Sequence, residues 1–179
     1  MKNFFIILFA FFIVLIFGFH FQTNQFKYVG VTKCVSSCHK SERQGKQLEI
    51  WKNSKHSIAW KTLETDAAKI IAADKGYKEM PTEIPECIRC HLIGRDFTPE
   101  DLSATFEIQE GVQCESCHGA GSGYMKMSIM KDVNKSIENG LIIYKEINKL
   151  CINCHNENSP IKKDFDFESS WDKIKHYKP

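Results

Sequence analysis

The sequence predicts a mainly α fold of short helices and long loops wrapped around covalently attached groups, and three observations predict it. Apolar residues recur at spacings of three and four over residues 56–71 and 167–174, the period of a helix face. Proline and glycine punctuate the stretches between and keep the helices short. All eight cysteines fall into four pairs that run directly into a histidine: Cys34, Cys38 and His39; Cys87, Cys90 and His91; Cys114, Cys117 and His118; Cys151, Cys154 and His155.

The last three motifs have the C-x-x-C-H spacing at which two thiols add across the vinyl groups of a haem while the next residue turns its imidazole onto the iron. In the first, Val35, Ser36 and Ser37 separate the thiols. A loop longer by one residue still presents both sulfurs to one porphyrin edge and leaves His39 after the second cysteine. A zinc ribbon, a redox dithiol or a disulfide framework would not require histidine at each of these places. The expected cofactors are therefore four haem c, and the expected fold is a compact multihaem cytochrome.

Each element follows in chain order. Lys2 precedes an apolar run from Phe4 to Phe19, which reads as the n-region and h-region of an export signal. It is short for a spanning helix, which needs about 20 residues, and the following His20-Phe21-Gln22 shows no A-x-A cleavage site. Residues 1–22 are thus an export signal or an N-terminal membrane anchor held through residues 4–19. Either places the rest outside the cytoplasm, in the periplasm or an equivalent compartment. Residues 26–179 form the tetrahaem cytochrome domain, with no low-complexity linker inside it.

After the first motif, Ser41 and Glu42 open a helix expected to run toward Ala73, with Gly76 as its stop. His56, Ala59, Trp60, Leu63, Ala67, Ile70 and Ile71 share one of its faces. Pro81 and Pro85 make the segment 80–86 extended or turning. Residues 92–111 read as an irregular loop with one short strand pair. Gly119, Gly121 and Gly123 permit a tight turn close to a porphyrin. Asp132 caps a short helix ending at Gly140, and another leads into Cys151. Phe167, Trp171 and Ile174 mark a last helix that brings His176 near its end.

The chain has 24 basic and 22 acidic side chains, and the lysines are interspersed with acids. That pattern excludes a nucleic-acid footprint, which needs a basic stripe. The composition is polar for a globular chain of 179 residues, and four porphyrins would replace much of a side-chain core.

Four haems have eight axial positions. His39, His91, His118 and His155 supply the proximal four, leaving His20, His56 and His176. His20 lies in the export segment and reads as a polar residue at its edge. His56, on the apolar helix face, and His176, at the end of an aromatic helix, are the expected distal ligands. Two irons are left without histidine. Met125, Met127 and Met130 follow the third motif and offer thioether ligands, or pack against porphyrin. The alternative is an open, five-coordinate iron.

The chain resembles the multihaem cytochrome c-554 family. The matching features are the first motif with Trp51 and Ser54-Lys55-His56-Ser57, the Gly111-Val112-Gln113-Cys114-Glu115-Ser116-Cys117-His118-Gly119 block, and Phe165-Asp166-Phe167 leading through Trp171 to His176. The resemblance implies a mostly helical protein with haems in stacked and perpendicular pairs, passing electrons between partner proteins. It also implies distal roles for His56 and His176. Two departures stand out: the extra residue in the first motif, and Ala120 where many members have proline. Some members carry a histidine shortly after this glycine segment; here the chain has Tyr124 and methionines.

The leading functional expectation is a non-catalytic relay that takes electrons from one redox partner protein to another, since haem supplies one-electron chemistry. An alternative is a haem enzyme acting on nitric oxide, hydroxylamine or a similar small nitrogen species at an open iron. A third is a subunit of a cytochrome filament.

Overall fold

The computed structural model describes residues 26–35, 37–159 and 165–176, and among these it contains eleven α-helices of at most nine residues, 3-10 turns and no extended strand. The mainly α expectation holds. The export segment, with His20, lies outside the described residues, as do the side chains of Ser37 and Cys38. Among the described residues no helix is long and apolar enough to cross a membrane.

Helix α1 (Val31–Cys34) and α2 (Ser37–Lys40) carry the first motif. Val35 closes α1 and Ser37 begins α2. The single long helix expected over residues 41–73 is instead a series: a turn at Glu42–Gln44, α3 (Gln47–Lys52), a turn at Lys55–Ile58, α4 (Ala59–Leu63) and α5 (Asp66–Asp74). Three local choices break it. Gly45 is left-handed at φ 93° and Lys46 follows at φ 50°, while Ser54 and Thr65 are extended, and Thr65 caps α5 through Ala68 N.

The predicted apolar face therefore survives only in part. Trp60 and Leu63 are buried, but beyond the break at Thr65 the chain turns, so Ile70 is 61% exposed and Ala72 is the buried position of α5. Pro81 opens a 3-10 turn and Pro85 starts α6 (Pro85–His91), using the first helical position, where a missing N–H costs nothing. The segment 92–111 has two 3-10 turns, Pro99–Asp101 and Ile108–Glu110. Its expected strand pair reduces to one isolated parallel bridge between Tyr28 and Leu102.

The third motif lies on α7 (Cys114–His118). The glycine segment after it packs on protein: a Cβ at Gly121 would come 2.8 Å from Glu115 Oε1, and one at Gly123 would enter the Phe26 ring. A short α8 (Met127–Met130) precedes α9 (Val133–Glu138), which Asp132 caps through the N–H groups of Asn134 and Lys135 as expected. Helix α10 (Ile147–Cys151) leads into the fourth motif, and α11 (Phe167–Ile174), capped by Asp166, packs against α3.

The core is small. Tyr28, Trp60, Leu63, Leu92, Ile93 and Phe106 form one buried cluster, with Ile88 and Phe97 packed against it. It joins the N-terminal segment, α4 and the chain that follows the second motif, and so it sits among the motifs.

Candidate haem-binding sites

Each motif uses helical geometry to bring its three functional residues to one side. In α6 and α7 the second cysteine and the histidine follow the first cysteine at i+3 and i+4, one face of a helix. In the fourth motif α10 ends at Cys151, and the N–H groups of Cys154 and His155 both donate to Cys151 O, at 3.2 and 3.0 Å, which continues the same turn. The described cysteines are all free thiols. Among the described residues no group of three or more Cys, His, Asp or Glu converges as an ion cage.

The motifs are neighbours of one another. The Cys34 thiol faces that of Cys114, which pushes Cys34 up and draws Cys114 down. The Cys90 and Cys154 thiols face each other in the same way, drawing Cys90 down to about 7 and pushing Cys154 up. Burial pushes Cys117 up to about 11, with Cys151 adding to it. The first motif thus lies beside the third and the fourth beside the second, with Cys151 of the fourth within electrostatic reach of Cys117 in the third.

Side chains within the third motif tie this arrangement together. Glu115 is 0% exposed and accepts from the backbone N–H groups of Val29, Gly30 and Gly121. Gln113 Oε1 accepts from Val31 N at 2.6 Å, and its Nε2 donates to Glu107 O at 2.8 Å. Ser116 Oγ donates to Leu92 O at 2.9 Å, next to the second motif. Arg95 donates to Ser116 O at 3.1 Å. The third motif is therefore the hub. Nothing in the sequence signals this role for Gln113, Glu115 and Ser116, since polar residues in or beside a cysteine motif carry no mark of burial.

Two histidines from outside the motifs meet motif histidines. The rings of His56 and His155 lie 6.1 Å apart, centroid to centroid, and those of His118 and His176 lie 5.9 Å apart. Two imidazoles on opposite sides of one metal, each nitrogen about 2 Å from it, put their ring centroids about 6 Å apart. The residues therefore fit the group that the motifs imply. Among the described residues no histidine ring stands opposite His39 or His91 in this way.

The surroundings prepare these rings. Burial holds His56 and His155 below the usual imidazole range, His155 adding to the effect at His56. It does the same at His118 and at His39, with His176 adding to the effect at both and Gln47 opposing it at His39. Neutral imidazole is the form that binds metal. His176 Nδ1 lies 3.1 Å from Ile174 O, and His91 Nδ1 lies 2.7 Å from Ala59 O and 3.1 Å from Thr62 Oγ1. A nitrogen facing a carbonyl carries the proton, which leaves Nε2 as the ligating atom.

His56 is placed by the block before the third motif. Val112 N donates to His56 O at 3.0 Å, and Trp51 Nε1 donates to Val112 O at 2.8 Å. Gly111 adopts φ 64°, and a Cβ there would lie 2.6 Å from His56 O, so only glycine lets the His56 turn approach so closely. Of the methionines, Met125 and Met127 are 40% and 58% exposed, whereas Tyr124 between them and the motif is buried and donates to Gly119 O at 2.8 Å.

Comparison with known proteins agrees with this site. The family described as cytochrome c554 and c-prime matches residues 33–119. Cytochrome c-554 of Nitrosomonas europaea is 33% identical over 103 residues, which cover 53% of this chain and 39% of that relative, so the match spans about two fifths of the relative's length. No solved structure matches the chain. The fourth motif and the segment with His176 lie beyond the family match. Over residues 33–119, which hold the first three motifs, this chain is similar to the cytochrome c554 and c-prime family.

Proposed function

We propose that the chain is a tetrahaem c-type cytochrome that relays electrons between redox partner proteins outside the cytoplasm. Haem c, once attached, supplies one-electron chemistry at its iron. The observation that carries the reading is the pairing of two motif histidines with imidazoles from elsewhere in the chain, His118 with His176 and His155 with His56; the Cys34 thiol beside Cys114, the Cys90 thiol beside Cys154 and the electrostatic reach of Cys151 to Cys117 support an order for the four groups. Attachment at these positions makes one file in the order first, third, fourth, second, with an end for a donor and an end for an acceptor.

In this reading His39, His91, His118 and His155 are the proximal ligands. His176 completes the third site and His56 the fourth. The ring separations of 5.9 and 6.1 Å support both assignments. The apolar run 4–19 supports export across a membrane, with cleavage or with retention as an anchor. Mass measurement of the mature protein, together with haem staining, tests the count: four covalent groups are expected, and two or fewer would end the reading.

A second reading has one observation in its favour. His91 is held from Nδ1 by Ala59 and Thr62, and no imidazole stands opposite it among the described residues. An iron held by His91 without a second protein ligand would leave room for a small molecule, the requirement for an enzyme acting on nitric oxide or hydroxylamine. Turnover of either by the reduced protein would establish it; binding of carbon monoxide without turnover keeps the chain a carrier.

A further inference from the structure

The most completely buried ionisable group outside the ligand set is Glu115, at 0% exposure. Its Oε1 accepts from Val29 N at 2.9 Å and Gly121 N at 2.6 Å; its Oε2 accepts from Val29 N at 3.0 Å and Gly30 N at 2.7 Å. Every partner is a donor. A protonated carboxyl would leave its O–H without an acceptor, so this cradle fits the carboxylate. Burial pushes the group up, and the three N–H groups oppose that. The ionisable groups facing it are Tyr28, Tyr124, Cys34 and Cys114, and among the described residues no ion pair neutralises it.

The cradle joins two motifs. Val29 and Gly30 lead directly into α1 and Cys34, while Glu115 itself follows Cys114, whose thiol faces Cys34. Gln113 reinforces the seam at Val31 N. The second and fourth motifs meet differently: the neighbour of both Cys90 and Cys154 is a cation, Arg89.

We infer that Glu115 is a positioning and tuning residue: its carboxylate locks the first haem-attachment motif to the third and sets one fixed negative charge at their seam, keeping the redox potentials of those two centres low. The inference rests on the tetrahaem reading above. A buried charge acts through a low dielectric, and a negative one favours the ferric over the ferrous state of the irons nearest it. Arg89 at the other pair is itself bridged to Asp96 at 3.3 Å and is half exposed, so its charge is matched and screened there, whereas the buried charge of Glu115 is not.

The test is a spectroelectrochemical titration of holoprotein carrying Glu115→Gln, with low-temperature paramagnetic resonance assigning the couples. The third-site couple is identified by its response to His176→Ala. Two couples, those of the first and third sites, should rise while the other two stay in place and four haems remain attached. Glu115→Asp, which keeps the charge on a shorter arm, should lower thermal stability while leaving both couples low. Four unmoved couples in the Gln variant, or four that rise together, overturn the inference. If the Gln variant does not assemble, Gln113→Glu adds a second negative charge at the same seam and must lower the same two couples; unmoved couples there also overturn it. A wild-type protein with fewer than four haems would instead defeat the tetrahaem reading, so the two failures are distinguishable.

Discussion

The third and fourth motifs differ from the first and second in what stands opposite their histidines. His118 and His155 each face an imidazole brought from a distant part of the chain, His176 and His56. His39 and His91 face none among the described residues. All four motifs carry the same local signature, so the difference is made by tertiary structure. A capped aromatic helix delivers His176, and a glycine-backed turn delivers His56. In the proposed file of four haems the paired sites would lie in the middle and the unpaired ones at the ends, so that inner sites would suit passage and terminal ones exchange with a partner or a small molecule.

The largest expected effect sharpens this contrast at the level of folding. Changing Cys114 and Cys117 together to alanine removes the attachment point at the hub, on which the Val29–Val31 segment and Leu92 both depend. Circular dichroism should show loss of most helix. The same change at Cys87 and Cys90 should leave a folded protein with three haems by mass.

Next come the ligands themselves. His56→Ala and His176→Ala should each turn one low-spin centre high-spin and raise its potential, because losing an imidazole donor destabilises the ferric state. Unaltered resonance spectra in either variant would show that residue to be structural. A gentler version is Gly111→Ala, which puts a methyl group 2.6 Å from His56 O at a positive φ. It should cost roughly 1–3 kcal/mol in thermal or denaturant unfolding and weaken low-spin character at the fourth site alone.

Acid should loosen the fold around the buried imidazoles. Burial holds His56, His118 and His155 below the usual imidazole range, so protonation is disfavoured in the folded state. For groups depressed in the folded state, the unfolded state binds more protons below an unperturbed value of about 6.5, and stability falls as pH falls through that range. Thermal unfolding followed against pH should therefore show the melting temperature falling as the pH is lowered through about 6.5; a melting temperature flat across that range would contradict it. The smallest expected effect is that of Met125, Met127 and Met130 changed together to leucine. With Met125 and Met127 exposed, the spectrum should stay as it is and carbon monoxide should still bind the reduced protein. A new high-spin signal would instead make methionine a ligand and close one of the unpaired sites.

The attachment motifs could be read from the sequence because they are local: two cysteines and a histidine within five or six residues declare themselves without reference to the fold. Elimination and helical period singled out His56 and His176, yet which motif histidine each lies beside could not be read, since that depends on Gly111, Val112 and the packing of α11 on α3. The long helix over 41–73 was misread because a period of three and four was carried across Gly45, Ser54 and Thr65, where capping and turn preferences outweigh it. Glu115 was invisible for the opposite reason. An acid in a helical motif reads as solvated, and only the converging N–H groups of residues 29, 30 and 121 reveal a buried anion.

Low-temperature paramagnetic resonance of the oxidised native protein tests the central claim most directly, because it counts the centres by ligand set. Two low-spin signals of bis-imidazole character are expected, for the His118–His176 and His56–His155 sites, together with at least one high-spin signal from the sites of His39 and His91. Four bis-imidazole signals from the isolated protein would contradict the account.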